Sequence, residues 1–257
     1  MDEIQHETPY GVVPLRCMTL TRSDERCEVV FVQRHHDASG GTVPPHRIEH
    51  RANLRAMADA KVDGLIAVCS VGTLVERLPP GRVGVAGDGI DLTGVSTTFT
   101  TTMTEFTSMA NAYDEALLHR TAAVLGEDQG VSAEDLIVRI GSPKVLSSKP
   151  RPKSTPSSSL GGEVVGMTMP REAKLAAEPL AVRALCIAAN WAAGRSPKAV
   201  EPTSFTRRFP PRRTGVWVRC GPCFSIRLVH DPPAYRAPTC VKTHGPERGR
   251  LDGQRCR

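Results

Sequence analysis

Residues 27–73 constrain the fold of this chain more than any other stretch. Residues 29–32 form a short apolar run rich in β-branched side chains, which is typical of a strand buried on both faces. Apolar residues recur at helical spacing through 46–60, directly after two prolines. A second apolar run follows at 65–68. The order strand, helix, strand predicts a βαβ unit whose two strands run parallel.

Small or polar side chains stand where these two predicted strands end. Arg34 and His35 follow the first strand, and Cys69 and Ser70 follow the second. Ligands of open α/β sheets bind beyond the carboxyl ends of the strands. A cationic pair opposite a turn of small residues, whose backbone N–H groups are free, suits an anion. We therefore expect an anion site at this edge of the sheet, with Cys69 as a small apolar residue rather than a nucleophile.

A second strand–helix–strand pattern is predicted in residues 163–189. Met167 and Thr168 follow its first strand, and Asn190 and Trp191 follow its last. The Thr168 hydroxyl has two interpretations from the sequence, a ligand contact or the N-cap of the following helix. An amide at the end of an apolar strand, as at Asn190, is costly unless it is used.

Other segments complete the predicted α/β fold with a mixed sheet. A helix is predicted at 114–125 and a further strand at 136–140. Residues 1–7 are expected to be a frayed start, and 15–20 a short edge strand. A dinucleotide, P-loop or zincin site has no support, because the chain contains no GxGxxG, GxxxxGK[ST] or HExxH motif.

The charge of the chain is distributed unevenly. Residues 198–257 contain 13 Lys and Arg against 4 Asp and Glu, a net charge of +9 within a total of +6. The remainder therefore carries a net −3, and the basic balance belongs to the C-terminal part alone. No apolar run approaches the length of a membrane span, and the acidic start is unlike a signal peptide. A cytoplasmic protein without a membrane partner is expected.

Eight short blocks spread over residues 8–197 point to one family. They are T-P-Y-G (8–11), V-V-F-V-Q-R-H (29–35), P-P-H-R-I-E-H-R-A-N-L (44–54), A-V-C-S-V-G-T-L (67–74), P-P-G-R-V (79–83), G-I-D-L-T (89–93), V-V-G-M-T-M-P-R-E-A-K-L-A-A-E (164–178) and C-I-A-A-N-W-A-A-G (186–194). In this order the blocks resemble the methylthioadenosine/methylthioinosine branch of the trimeric purine nucleoside phosphorylases.

The resemblance implies a fold, a reaction and partners. The fold is a single three-layer α/β/α nucleoside-phosphorylase-like domain at 8–197, and the reaction is that of a pentosyltransferase in purine salvage. A purine nucleoside and phosphate give free base and ribose or 5-methylthioribose 1-phosphate. Phosphate is a co-substrate, no cofactor or metal is expected, and the family pattern implies a homotrimer.

The resemblance also implies a role for each candidate side chain. The phosphate-binding residues are Arg34, His35, Cys69, Ser70 and Thr168. Met167 packs against the sugar, and Asn190 reads the purine O6/N7 edge with Trp191 and Ala192 beside it. Asn190 is the implied catalytic residue, because an amide that donates to N7 stabilises a departing 6-oxopurine. This favours inosine, guanosine or methylthioinosine, since losing one buried hydrogen bond costs about 1–3 kcal/mol.

The chain departs from the family pattern in two places that leave an alternative function open. The N-terminal strand and the Gly-rich phosphate loop are expected to be absent. Lys153 stands near the position of the family's Glu, within the Ser- and Pro-rich stretch 149–159. The alternative is therefore a catalytically impaired homologue that acts as a binding or oligomer-forming subunit.

Residues 198–257 match nothing in the family and are expected to be a disordered basic tail, with eight prolines and little apolar periodicity. Its arginines near aromatic residues leave nucleic-acid binding open as a second alternative, less favoured than the enzyme. The spacing of Cys220, Cys223, Cys240 and His244 also leaves structural zinc open, although little sequence is available to fold around a metal.

Overall fold

A computed structural model describes most of the chain up to residue 195 and three short strands beyond it. The described residues are 2–22, 25–37, 39–62, 64–99, 108–109, 112–143, 156–177, 182–192, 195, 216–219, 225–228 and 238–243. Among these residues, no helix is both long and apolar enough to cross a membrane.

The described elements alternate between strands and short helices. The strands are β1 (Asp2–Thr8), β2 (Gly11–Arg22), β3 (Glu25–Gln33), β4 (Gly64–Thr73), β5 (Val83–Leu92), β6 (Ile137–Pro143), β7 (Val164–Val165), β8 (Val182–Trp191), β9 (Val216–Arg219), β10 (Ser225–Leu228) and β11 (Pro238–Thr243). The helices are a 3-10 turn at Pro45–Arg47, α1 (His50–Asp59), α2 (Glu115–Gln129), α3 (Ala133–Leu136), α4 (Pro156–Ser159) and α5 (Met169–Ala176).

The ends of the helices follow from local sequence. The Asp114 side chain accepts a hydrogen bond from the Leu117 backbone N–H and so caps α2. Gly130 ends the same helix in the left-handed conformation, with φ of 64°, which a residue with a side chain adopts at a cost. In α1 the Glu49 side chain accepts from the Arg51 backbone N–H.

Nine strands form one mixed sheet in the order β1-β2-β3-β11-β4-β7-β6-β5-β8. An additional parallel pairing between β4 and β8 joins the last strand back to the fifth. The strands β4, β7, β6, β5 and β8 therefore form a closed ring of pairings, and β1, β2, β3 and β11 extend from it. The two remaining strands, β9 and β10, pair only with each other within the described part of the chain.

β4 is the central strand of this arrangement. One edge of β4 pairs with β8 along residues 65–73. On its other edge β11 pairs with residues 64–67 and β7 with Gly72 and Thr73. No strand in the described ranges pairs with residues 68–71 on that edge, which we call the open segment of β4.

The hydrophobic core lies on both sides of β4 and joins the helices to the sheet. Leu65, Ala67 and Val71 of β4 are buried. Helix α1 contributes Met57, and α5 contributes Leu175. This burial supplies most of the stabilisation, since apolar burial contributes roughly 25 cal/mol per Å².

The predicted α/β fold with a mixed sheet is confirmed, with corrections at the N-terminus. Residues 1–7 were expected to be frayed, but β1 forms a hairpin with β2 through the turn at Thr8–Gly11. The predicted edge strand 15–20 lies within β2, which is paired on both sides. The edge position belongs to β1 instead.

The predicted parallel direction of the strands in the βαβ unit is correct. β3 and β4 run parallel, because both are antiparallel to β11, which lies between them. Beyond residue 197 the structure describes only β9, β10 and β11, so the division into a domain at 8–197 and a tail at 198–257 stays a prediction.

Candidate active site

The register of the sheet brings Arg34, Cys69 and Thr168 to one level. Val32 of β3 and Ala67 of β4 both face Thr239 of β11. Arg34 and Cys69 each lie two residues further on, so they point to the same face at the same height. β7 runs antiparallel to β4, with Val165 opposite Gly72, and the chain after it returns along the open segment of β4 as far as Thr168.

Side-chain contacts confirm this convergence. The Arg34 Nη1 donates to Thr168 Oγ1 at 2.7 Å and to Cys69 Sγ at 3.4 Å. Arg34 is only 2% exposed, and Cys69 and Thr168 are buried as well. A buried guanidinium with fixed partners is a preorganised donor for an anion.

Glu172 of α5 completes this group. Its Oε1 lies 3.1 Å from Arg34 Nε, and the two side chains are 3% and 2% exposed. His50 of α1 places its Nδ1 3.7 Å from the same carboxylate oxygen. We call Arg34, Cys69, Thr168, Glu172 and His50 the Arg34 cluster.

The charges of the Arg34 cluster determine its protonation. Burial raises the pKa of the Glu172 carboxyl, but the nearby Arg34 and His50 outweigh burial and hold that pKa below its ordinary value. Glu172 is therefore ionised. Burial raises the pKa of the Cys69 thiol, so this side chain stays protonated, which agrees with its predicted role as a small residue and not a nucleophile.

The Thr168 hydroxyl bonds to Arg34 in the cluster and does not cap helix α5. It stands at the N-cap of α5, yet its hydroxyl makes no capping hydrogen bond and accepts from Arg34 instead. An N-cap hydrogen bond typically stabilises a protein by about 0.5–2 kcal/mol. The structure thus shows no side-chain capping by Thr168, and its ligand contact stays a prediction.

Two further side chains hold the backbone at Arg34. The Asn53 Nδ2 donates to the Arg34 carbonyl at 3.1 Å. The Asn53 Oδ1 accepts from His36 Nε2 at 2.8 Å. These bonds fix the turn in which the Arg34 side chain leaves the end of β3.

His35 lies beside the cluster and has a defined tautomer. Its Nδ1 lies 2.8 Å from the Val43 carbonyl, which only accepts, so Nδ1 carries the proton. Burial lowers the pKa of His35 against the opposing effect of the Val43 bond, and the Arg34 charge lowers it further. His35 is therefore neutral near pH 7, and Nε2 keeps a lone pair.

The remaining predicted residues of this half are arranged differently. Ser70 is half-buried and follows Cys69 on β4, so its side chain points to the opposite face of the strand. Met167 precedes Thr168 and is 47% exposed, which leaves its side chain accessible to a ligand. The predicted roles of both residues stay predictions.

The second half of the candidate site is the segment Asn190, Trp191 and Ala192, which we call the Asn190 segment. It ends β8, with Asn190 opposite Gly72 and Trp191 opposite Thr73 of β4. The Ala192 backbone N–H donates to the Thr73 carbonyl at 2.8 Å. The register between β4 and β8 shifts between Val71 and Gly72, and this shift sets Asn190 opposite Gly72.

The amide of Asn190 has a fixed orientation. Its Nδ2 donates to the Trp191 carbonyl at 2.7 Å. The opposite orientation would set Oδ1 against that carbonyl, where two acceptors repel. One N–H of the amide and its Oδ1 are therefore left for a ligand.

Sequence reasoning did not identify Glu172, His50 or Asn53 as site residues. A signal for Glu172 exists, because it follows Thr168 by four residues and so lies on the same face of the helix. No group of three or more His, Cys, Asp or Glu among the described residues is arranged to hold a metal ion. Lys153, Cys220, Cys223 and His244 lie outside the described residues.

Comparison with known proteins gives the family. The profile of the Phosphorylase superfamily matches residues 2–210, and so includes residues 198–210, which were expected to match nothing in the family. A probable S-methyl-5'-thioinosine phosphorylase of Methanothermobacter thermautotrophicus is 31% identical over 197 residues, which cover 74% of this chain and 64% of that protein. A probable 6-oxopurine nucleoside phosphorylase of Moorella thermoacetica is 32% identical over 203 residues, which cover 74% of this chain and 72% of that protein.

A solved structure has the same fold. A mutant adenosine/methylthioadenosine phosphorylase from Schistosoma mansoni, in complex with tubercidin, matches with a TM-score of 0.66 and 20% sequence identity. The match covers 80% of this chain and 79% of that protein. The chain therefore belongs to the phosphorylase superfamily. Its predicted resemblance to the purine nucleoside and methylthioadenosine/methylthioinosine phosphorylases is confirmed.

Proposed function

We propose that this chain catalyses the reversible phosphorolysis of a purine nucleoside of the 6-oxopurine or 5′-methylthio type. A phosphate oxygen bonds to C1′ while the C1′–N9 bond breaks and the purine leaves with the electron pair. Hydrogen phosphate loses a proton as it becomes the sugar 1-phosphate, and the purine gains one at N7 and leaves as the neutral base. Because no covalent enzyme intermediate is needed, positioning and electrostatics carry the catalysis.

The observation that supports this proposal most strongly is the convergence of Arg34, Cys69 and Thr168. Three separate family blocks supply these residues, and they meet through direct contacts at 2.7 and 3.4 Å. In the proposal the Nη1 edge of Arg34 and the Thr168 hydroxyl bind phosphate. The family pattern implies a further contact from Ser70, and because its side chain points to the opposite face of β4, this contact comes from the backbone. The phosphate charge then stands beside the cationic sugar that forms as the base departs.

His35 acts on phosphate through Nε2. Because Nδ1–H is bonded to the Val43 carbonyl, Nε2 of the neutral ring accepts a hydrogen bond from a phosphate O–H. The lowered pKa keeps the ring in this form near pH 7.

Asn190 recognises the base at the end of β8. The amide N–H that is not bonded to Trp191 donates to O6 of a 6-oxopurine, and Oδ1 accepts from N7–H when N7 holds its proton. Trp191 and Ala192 flank the base, and the exposed Met167 packs against the sugar and its 5′ substituent. These roles rest on the family pattern and on the position of each residue.

The proposal includes the setting of the enzyme. Phosphate is the co-substrate and no cofactor takes part. The chain works in the cytoplasm as a homotrimer in purine salvage, as the family pattern implies.

The direct test is base release by the purified full chain. Inosine, methylthioinosine and methylthioadenosine are each incubated with and without orthophosphate, and free base and sugar 1-phosphate are measured. Phosphate-dependent release of both products is the expected result. No release from any nucleoside at high protein concentration would overturn the proposal.

The two alternatives give different outcomes in the same preparation. Nucleoside binding in a calorimeter without base release would favour the impaired homologue. For the basic tail, Arg207, Arg208, Arg212 and Arg213 are replaced by Gln, and binding of a polyanion such as single-stranded DNA is compared. These four residues lie outside the described residues.

A further inference from the structure

Glu172 is a buried carboxylate that the proposed reaction does not yet use. It lies on α5, four residues after Thr168, and its side chain is 3% exposed. A buried charge is costly unless it is paired. Its pairing is with Arg34, the residue on which phosphate recognition depends in the proposed function.

Different nitrogens of the Arg34 guanidinium contact Glu172 and Thr168. The Glu172 Oε1 lies 3.1 Å from Nε as an ion pair rather than a hydrogen bond, while Nη1 is directed to Thr168 Oγ1 at 2.7 Å. A guanidinium is planar and its donors have fixed directions. A carboxylate beside Nε therefore keeps the positive group near Glu172 and limits the directions in which Nη1 can point.

We propose that Glu172 is the positioning residue for phosphate recognition and holds the Arg34 guanidinium so that Nη1 and the Thr168 hydroxyl form one half of the phosphate site. The inference rests on the proposed function. Glu172 does not touch phosphate in this arrangement and acts through Arg34.

His50 supports the carboxylate from the other side. Its Nδ1 is 3.7 Å from the Oε1 that pairs with Arg34, and its side chain is 4% exposed. Neither ring nitrogen of His50 has a hydrogen-bond partner within the described ranges. Contact with a charged neighbour is thus the polar interaction that the buried ring makes there.

A different role is possible for the same ion pair, namely holding α5 against the sheet. The chain offers a matched control for this role, because α5 has a second ion pair between Lys174 and Asp91 at 2.7 Å. Asp91 does not contact Arg34. Removing its charge loosens the helix without disturbing the guanidinium.

The test compares Glu172→Gln with Asp91→Asn in the full chain. For Glu172→Gln we expect the KM for phosphate to rise about tenfold, with kcat and the nucleoside KM changed less than about twofold. Orthophosphate binding measured by calorimetry should weaken by the same factor. For Asp91→Asn the melting temperature should fall while the phosphate KM stays within about twofold of the wild type.

Glu172→Asp provides a second variant that keeps the charge. A shorter carboxylate reaches Nε less well, so the phosphate KM should lie between those of the wild type and Glu172→Gln. Equal phosphate KM values for Glu172→Gln and Asp91→Asn would overturn the positioning role.

The measurement of orthophosphate binding distinguishes a failure of this inference from a failure of the proposed function. If the wild type binds orthophosphate but releases no base, phosphorolysis fails, while weaker binding by Glu172→Gln still supports the positioning role. If the wild type binds no orthophosphate, both proposals fail. If base is released and phosphate binding is unchanged by Glu172→Gln, only the positioning role fails.

Discussion

The Arg34 cluster and the Asn190 segment are held in place by different kinds of contact. In the Arg34 cluster, side chains from β3, β4, α1 and the start of α5 contact one another in the interior. In the Asn190 segment, the backbone pairing of β8 with β4 holds a half-exposed side chain. The first half depends on charges that satisfy one another, and the second depends on strand register.

This difference indicates how each half should respond to change. Removing one charge from the Arg34 cluster leaves another charge buried without its partner, which affects stability and activity together. Changing the Asn190 segment alters a half-exposed amide or shifts a strand end, and should affect base selection more than folding. The variants below separate the two halves on this basis.

The largest effect is expected from Arg34→Met, which leaves the Glu172 carboxylate buried without its guanidinium. The free energy of unfolding should fall by about 3–5 kcal/mol. Base release should fall about a thousandfold, because the main phosphate donor is lost. Urea unfolding and initial rates at saturating nucleoside measure the two effects.

The double variant Arg34→Met with Glu172→Met sharpens this result. Replacing both buried charges by apolar groups should restore most of the stability, while activity stays lost. As a control, Arg77→Met breaks the partly exposed pair with Glu163, whose side chains are 31% and 29% exposed, and should cost less than about 1 kcal/mol. Equal losses of stability in Arg34→Met and Arg77→Met would contradict the contrast between buried and exposed pairs.

Asn190→Asp should have the next largest effect, and it acts on base selection. A carboxylate accepts only, so it cannot donate to the Trp191 carbonyl or to O6 of a 6-oxopurine. The ratio of kcat/KM for inosine to that for adenosine should fall about tenfold or more. The phosphate KM is the internal control, and an unchanged inosine-to-adenosine ratio would count against base recognition by Asn190.

Gly72→Ala should produce a smaller change through the strand register. A Cβ at Gly72 would lie 3.1 Å from the Ala192 Cα, so the ends of β4 and β8 must move apart. The nucleoside KM should rise a few fold, and unfolding should be easier by about 1–3 kcal/mol. Steady-state kinetics and urea unfolding measure the two quantities.

Gly126→Ala is the matched control for crowding far from β4. Its Cβ would meet the Val131 carbonyl oxygen at 2.8 Å within the turn after α2. It should lower stability without changing the nucleoside KM. A rise in the nucleoside KM as large as that of Gly72→Ala would show that general destabilisation explains both.

The smallest effect is a pH dependence that belongs to His35. Burial, with help from Arg34, holds its folded-state pKa below the ordinary value of about 6.5. Between these two values the unfolded chain binds a proton that the folded chain does not. The stability contributed by His35 is therefore complete above about pH 6.5 and is lost as the pH falls through the folded-state pKa.

Thermal unfolding between pH 7.5 and pH 5.5 measures this dependence. His35→Gln should flatten the decline below about pH 6.5, whereas the exposed His119→Gln should leave it as in the wild type. Glu172 does not interfere in this range, because its lowered pKa places its loss of stability below its ordinary value of 4.5. An identical decline in wild type and His35→Gln would exclude His35 as its source.

The elements with strong local signals were predictable from the sequence. β3, α1, β4, α2 and β6 lie where apolar runs or helical periodicity indicated them. β1 was missed because Asp2–Thr8 is mostly polar and becomes a strand only by pairing with β2. β7 is only Val164–Val165, and its antiparallel direction relative to β4 depends on tertiary structure that no local pattern encodes.

The candidate site was predictable in part for the same reason. Arg34, Cys69 and Thr168 were proposed from strand ends and family blocks, and the structure brings them into contact. Glu172 was missed because a charged residue on a short helix usually faces solvent. Its burial is decided by Arg34, which lies more than a hundred residues away in the chain.

β4 also sets the distance between the Arg34 cluster and the Asn190 segment. Cys69 contacts Arg34 and Gly72 faces Asn190, and three residues of extended chain separate them by about 10 Å. Both halves are measured from one strand, so a shift of that strand moves them together and leaves their spacing unchanged. Only a residue gained or lost between Cys69 and Gly72 would alter the length of ligand that the enzyme accepts.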